Sequence, residues 1–188
     1  MVKLDSSFYE RDTPAVAKAL LGCQLISRVG GESATTSGVI VETEAYLGGG
    51  DPGSHASKGR TPRTETMFGE PGRAYVYLIY GMYYLLNVVT EPVGTAGAVL
   101  IRALEPVEGI DIMKERRKCQ PVKNLTTGPG KLTQALGITI EHNTLDLTQD
   151  LIWIEPYTTG DVQGSSRIGV SDGQALRYFI KGNPFVSR

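Results

Sequence analysis

The chain has 188 residues, which is long enough to bury one sizeable core without disulfides or structural metal, and its formal charge of -1 at pH 7 excludes a whole-molecule basic field. A nucleic-acid partner would have to be met by a local patch. Cys23 and Cys119 have no metal-type spacing, no leader pattern opens the chain, and Tyr, Gly and Asn interrupt even the longest apolar run, 76–89, so the expectation is reduced thiols in a cytoplasmic protein with no membrane partner.

Residues 1–12 read as an irregular lead that Phe8 and Tyr9 pin to the body. Thr13 and Pro14 supply an N-cap and a first-turn proline, Val16, Ala19 and Leu20 recur at helical spacing, and Gly22 stops a helix over 14–21. A strand at 23–28 follows, and Gly30-Gly31 turns the chain into a second strand at 39–46. Residues 47–72 dissolve into Gly, Pro, Ser, Thr and charge, and a loop of that length in a compact domain is usually functional or disordered. His55, Lys58, Arg60 and Arg63 within it favour function.

Strand character returns at Tyr75, with Tyr77 and Ile79 on the same face. Gly81 breaks the pattern, so Tyr80-Gly81-Met82 forms a hairpin tip and residues 83–89 the return strand. Tyr80 then either projects as a probe or folds back on the sheet. A further strand at 98–104 is apolar except for Arg102, which lies at an edge or pairs with an acid. Pro106 is expected to open a helix carrying Val107, Ile110 and Met113 and ending in the basic run 114–118. Gly128-Pro129-Gly130-Lys131 precedes a short helix, 132–136, and makes a plausible phosphate seat. The last third offers a strand at 151–155, a polar loop through Ser166, the basic residues Arg167 and Arg177, and a ragged end. No repeat and no second domain are legible, so 1–188 is read as a single domain.

Chemistry concentrates on Val41-Glu42-Thr43-Glu44-Ala45-Tyr46. Period two sets Val39, Val41, Thr43 and Ala45 on one face and Glu42, Glu44 and Tyr46 on the other. The nearby candidates are one imidazole, His55, several tyrosines and an arginine; His142 stands among polar residues with no evident partner. Neither a Ser-His-Asp or Cys-His pattern, nor a metal cluster, nor a dinucleotide fingerprint is present, so no metal and no cofactor are expected. A lone carboxylate base, Glu44 or Glu42, activating water is the economical chemistry, with tyrosines stacking on a flat, cationic substrate.

These motifs, together with Arg60-Thr61-Pro62-Arg63, Met67-Phe68, Asn87, Leu100-Ile101-Arg102-Ala103-Leu104-Glu105-Pro106 and Gly128-Pro129-Gly130-Lys131-Leu132, resemble the alkyladenine (3-methyladenine) DNA glycosylase family over nearly the whole chain. The resemblance implies an α+β single domain, a curved antiparallel sheet with a projecting β-hairpin and flanking helices. It implies a monomer acting on damaged double-stranded DNA, excising alkylated or deaminated purines with water and without a lysine Schiff base. By the same resemblance Glu44 is the general base and Arg102 helps hold it. Tyr46, His55 and Tyr77 wall the pocket for the flipped base, and Asn87 crowds the 2-amino group of guanine. Tyr80 fills the gap in the duplex, Met82, Arg60, Thr61 and Lys131 meet DNA, and Glu42 lies one step outside the site.

Overall fold

The computed structural model describes residues 2–187. Asp5 and Asp12 each accept the backbone N–H three residues on and start two short helices, α1 (Ser6–Tyr9) and α2 (Thr13–Ala19). The lead expected to be irregular therefore contains a helical turn, with Tyr9 fully buried. The cap of α2 is Asp12, not Thr13, because the Thr13 hydroxyl is committed to Glu91 at 2.7 Å and Thr90 at 2.8 Å.

Five strands come next: β1 (Gln24–Ser27), β2 (Thr36–Leu47), β3 (Ala74–Ile79), β4 (Tyr83–Val89) and β5 (Gly97–Glu108). Helices α3 (Ile110–Arg117) and α4 (Pro129–Leu136) precede β6 (Ile152–Glu155), β7 (Val162–Ser165) and β8 (Arg177–Ile180). The strands pair antiparallel in the order β3-β4-β5-β2-β1-β6, with β8 on β2 and β7 on β8, so the architecture is α+β as expected.

Pro106 does not open a helix; it lies inside β5 opposite Gly38, beside a register shift. A proline cannot donate to the ladder and is tolerated where the ladder is irregular. The helix waits for Gly109, at φ 70°, and Val107 is exposed, not part of an apolar stripe. Strands β7 and β8 fall in the stretch expected to be a polar loop and ragged end. His142 also has a partner: its Nδ1 accepts the Thr139 N–H at 3.0 Å in a capping box.

The main core lies between one face of the sheet and α2, α3 and α4, where Leu20, Ile40, Ile101, Met113 and Leu132 are fully buried. Each such side chain contributes roughly 1.5–3 kcal/mol by leaving water. A smaller core under the 48–72 loop contains Ala56, Met67, Tyr75 and Ala98, so this loop is packed on the sheet through two short 3-10 turns, His55–Lys58 and Glu65–Phe68.

The face pattern of β2 departs from strict alternation. Along one edge β5 pairs from Ser37 to Leu47; along the other, β1 pairs with Thr36 to Val39 and β8 with Glu42 to Glu44. Between Ile40 and Thr43 the ladder with β5 shifts twice, leaving Val41 and Arg102 without opposed partners. Ile40 and Ala45 consequently join the main core, while Val39 and Val41 pack with Ala103 in a separate cluster with Phe185 and Val186. Such bulges re-aim side chains. Here they direct Glu42, Glu44 and Arg102 to one another.

Candidate active site

Tight-turn geometry puts the hairpin tip in solvent. Tyr80 at φ 53° and Gly81 at φ 68° reverse the chain, closed by the Met82 N–H on the Ile79 carbonyl at 3.2 Å. Tyr80 is 85% exposed and Met82 66%, so the tyrosine projects instead of folding back. A non-glycine residue in the left-handed region costs roughly 1–3 kcal/mol, a cost that Glu91, Lys118 and Thr144 of this chain also bear.

Below the tip lies a cavity of about 630 Å³, within the size range of small-molecule pockets. Alternate residues of β3 and β4 wall it: Tyr75, Tyr77 and Ile79 from one strand, Tyr83, Leu85 and Asn87 from the other. The Tyr77 ring centroid lies 5.2 Å from that of Tyr75 and 4.7 Å from that of His55, which stands nearly edge-on. Asn87 is fixed by its Nδ2, which donates to the Tyr75 carbonyl at 3.0 Å.

His55 Nδ1 meets the Tyr75 hydroxyl at 3.1 Å, and Arg63 approaches Nε2 at 3.4 Å with its guanidinium 5.3 Å from the Tyr77 ring. Desolvation among the rings, then the Arg63 charge, holds the imidazole below its ordinary pKa, so it is neutral at pH 7. Burial, with the neighbouring Tyr75, pushes the Tyr77 phenol up to about 12. Burial and the adjacent Glu44 carboxylate push Tyr46 up as well, keeping its hydroxyl protonated.

Behind the cavity lining, bonded to its Tyr46 and Arg102, Glu44 has no exposed surface. Its Oε2 accepts from Tyr46 Oη at 2.8 Å and Arg102 Nη1 at 3.2 Å, and its Oε1 from the Ile168 backbone N–H at 2.7 Å. Arg102 Nε donates to Glu42 Oε1 at 3.1 Å, and Glu42 also accepts from Arg177 Nε at 2.7 Å and from Ser187 N at 2.7 Å. Two carboxylates and two guanidiniums thus neutralise one another, which suits charges buried this deeply.

Of the residues expected to act, Tyr46, His55, Tyr77, Asn87, Tyr80, Arg102 and Lys131 line one cavity, with Glu44 bonded to two of them. Met82 lies at the exposed tip. Arg60 and Thr61 lie outside the cavity lining: Arg60 stacks on Phe68 at 4.8 Å and pairs with Glu65, and Thr61 closes a turn with Thr64. Sequence reasoning missed Tyr75 as a wall, Arg117 at the rim, and the wall formed by Ile168, Gly169 and Val170. Parity with Tyr77 could have found Tyr75; Ile168 to Val170 carry no such signal. Among the described residues no three His, Cys, Asp or Glu side chains cluster as metal ligands.

Residues 7–184 match the family model described as methylpurine-DNA glycosylase (MPG). The chain is 47% identical over 193 residues to a protein of Prosthecochloris aestuarii, covering 100% of this chain and 92% of that one. It is 47% identical over 193 residues to one of Methanoculleus marisnigri, covering 98% of each, and 49% identical over 203 residues to one of Bacillus cereus, covering 97% of each. All three carry the name "Putative 3-methyladenine DNA glycosylase".

Proposed function

The chain belongs to the methylpurine-DNA glycosylase family and is thereby a DNA glycosylase, and we propose that it extrudes a damaged purine from duplex DNA into the aromatic cavity and cuts its N-glycosidic bond with a water activated by Glu44. A base stacked in a duplex is out of reach of any protein carboxylate, so flipping comes first, at least cost where a lesion already weakens pairing. Tyr80, exposed on its strained turn, enters the vacated space from the minor-groove side, with Met82 beside it.

In the cavity, Tyr77, Tyr75 and Tyr46 present faces or edges to a purine, and a cationic alkylated purine gains attraction that a neutral base does not. A neutral His55 adds no repelling charge. Departure of the purine leaves an oxocarbenium-like sugar, which a nearby carboxylate stabilises. Among the described residues Glu44 Oε1 accepts from Ile168 alone and retains a lone pair for the proton of water, while Arg102 and Tyr46 hold Oε2. Since Glu44 has no exposed surface, the attacking water enters through the cavity as its lining shifts to admit it. The product is an abasic site on DNA released without a covalent enzyme intermediate.

The observation that carries this reading is the Glu44 carboxylate held by Arg102, Tyr46 and Ile168, three residues that line the same cavity as His55, Tyr75 and Tyr77. The test is single-turnover reaction with duplexes carrying one hypoxanthine, ethenoadenine or methylated purine, the abasic product being revealed by alkali. Release of base, with no adduct trapped by borohydride, is the expected result; binding to lesion duplex without release from any of these substrates would replace the enzyme with a non-catalytic binding module.

A further inference from the structure

Glu44 takes one of its three hydrogen bonds from a segment that no regular structure holds. Residues 167–173 lie between β7 and β8 in no helix or strand, with a single turn at Ile168-Gly169 as their regular backbone feature among the described residues. Yet Ile168, Gly169 and Val170 form a wall of the cavity. The segment is held in place by side chains. Arg167 is 3% exposed; its Nη1 donates to the Ala45 carbonyl at 2.9 Å and Asp51 Oδ2 at 2.8 Å, and its Nη2 to Asp51 Oδ1 at 2.5 Å and to Asp172.

We propose that Arg167 is a positioning residue for base excision, pinning this segment so that the Ile168 amide orients Glu44 and the wall closes on the flipped purine. The inference rests on the reading of Glu44 as the base. One guanidinium touches the two residues that follow Glu44: the carbonyl of Ala45, and the ring of Tyr46, whose centroid lies 4.6 Å away. The next residue after Arg167 delivers its N–H to Glu44 Oε1. Packing is equally tight on the other side, since a Cβ at Gly53 would come within 2.5 Å of Val170 Cγ1 and 2.7 Å of Arg167 Nη2.

A buried ion cluster is weak evidence for stability in itself, because apolar side chains of similar volume often serve as well. Arg167 even leaves its Nε buried without a partner among the described residues. What an apolar residue or a lysine lacks is the planar fork that reaches four acceptors on three segments at once. Burial acts to raise the Asp51 carboxyl, but the Arg167 fork and the Leu47 and Gly53 amides outweigh it and hold it below the usual range.

The experiment compares Arg167→Lys and Asp172→Asn with the parent in single-turnover excision, lesion-duplex affinity and the ¹H–¹⁵N shift of the Ile168 amide. For Arg167→Lys the excision rate constant is expected to fall about tenfold or more, as small misplacements of reacting groups do, with affinity kept within about threefold. The Ile168 amide proton moves upfield as its bond to the carboxylate lengthens. Asp172→Asn keeps the acceptor for the Gln174 N–H but loses the charge that Arg167 faces, and changes both readouts in the same direction by less. Folded variants with the parent's rate and the parent's Ile168 shift would overturn the proposal, and if Arg167→Lys does not fold, Asp172→Asn decides alone. Should the parent release no base, the reading of Glu44 fails; the Ile168 shift then still tests the pinning, and an unchanged shift overturns it.

Discussion

Glu42 and Glu44, both fully buried, share the guanidinium of Arg102, which gives its Nε to the first at 3.1 Å and its Nη1 to the second at 3.2 Å. Glu42 is itself held by Arg177 and by Ser187 near the end of the chain. Arg102 is therefore fixed from behind, and its orientation toward Glu44 depends on a residue that does not itself line the cavity.

Glu44→Gln is expected to separate binding from chemistry. Glutamine keeps the size and an acceptor for Arg102 or Ile168 but cannot take a proton from water, and positioned general-base catalysis contributes roughly 10²–10⁴-fold. The single-turnover rate constant on a hypoxanthine duplex should drop by at least the lower of these figures, with affinity retained. A variant that excises as fast as the parent would rule out Glu44 as the base.

Glu42→Gln, at the residue that the resemblance puts one step outside the site, is expected to cost both stability and rate. It leaves Arg102 and Arg177 facing one carboxylate in a buried cluster, and breaking a buried pair typically costs about 3–5 kcal/mol. Urea unfolding reads the first loss and single-turnover excision the second. Parent-like values in both measurements would mean that the shared guanidinium positions nothing.

Tyr80→Ala and Tyr80→Gly should differ in the free protein and agree on DNA. At φ 53° glycine relieves the left-handed strain that alanine keeps, so the glycine variant should be the more stable of the two by up to about 1 kcal/mol. Both should lose lesion affinity on the order of 1–3 kcal/mol, the usual contribution of a stacking side chain. Unchanged affinity and unchanged excision in both would remove Tyr80 from the duplex.

Asn87→Ala should relax discrimination against guanine, because it removes the amide that stands fixed against the cavity between Tyr75 and Leu100. The ratio of guanine to hypoxanthine release, measured on matched duplexes, is expected to rise. A ratio equal to the parent's would move selectivity elsewhere in the pocket.

His55 makes stability fall on the acid side. Its folded-state pKa lies below the ordinary 6.5, so the unfolded chain binds the proton first, and the protein loses stability as pH falls from about 6.5 through the depressed folded value. His55→Gln should flatten that part of the stability curve. Arg63→Met, which removes the second cause of the shift, should raise the His55 pKa read by imidazole NMR, and no rise would show that burial alone depresses it.

Period-two alternation is a property of neighbouring residues, and what depended on it was legible without coordinates. It put Glu42, Glu44 and Tyr46 on a common side of β2, lined up Tyr75, Tyr77 and Ile79, and with Gly81 marked Tyr80 as the tip of a hairpin. Where a cross-strand partner decided the outcome, local pattern failed. The bulges at Val41 and Arg102 moved Val39 and Val41 out of the core that holds Ala45, and the irregular ladder beside Gly38 let Pro106 stay in a strand. The wall of Ile168 to Val170 is set by Arg167 reaching Asp51, 116 positions away in sequence. Nothing near either residue announces that pair, because its energy exists only once the chain has brought two loops together around a buried charge, and so the wall of the site was a decision of the tertiary structure alone.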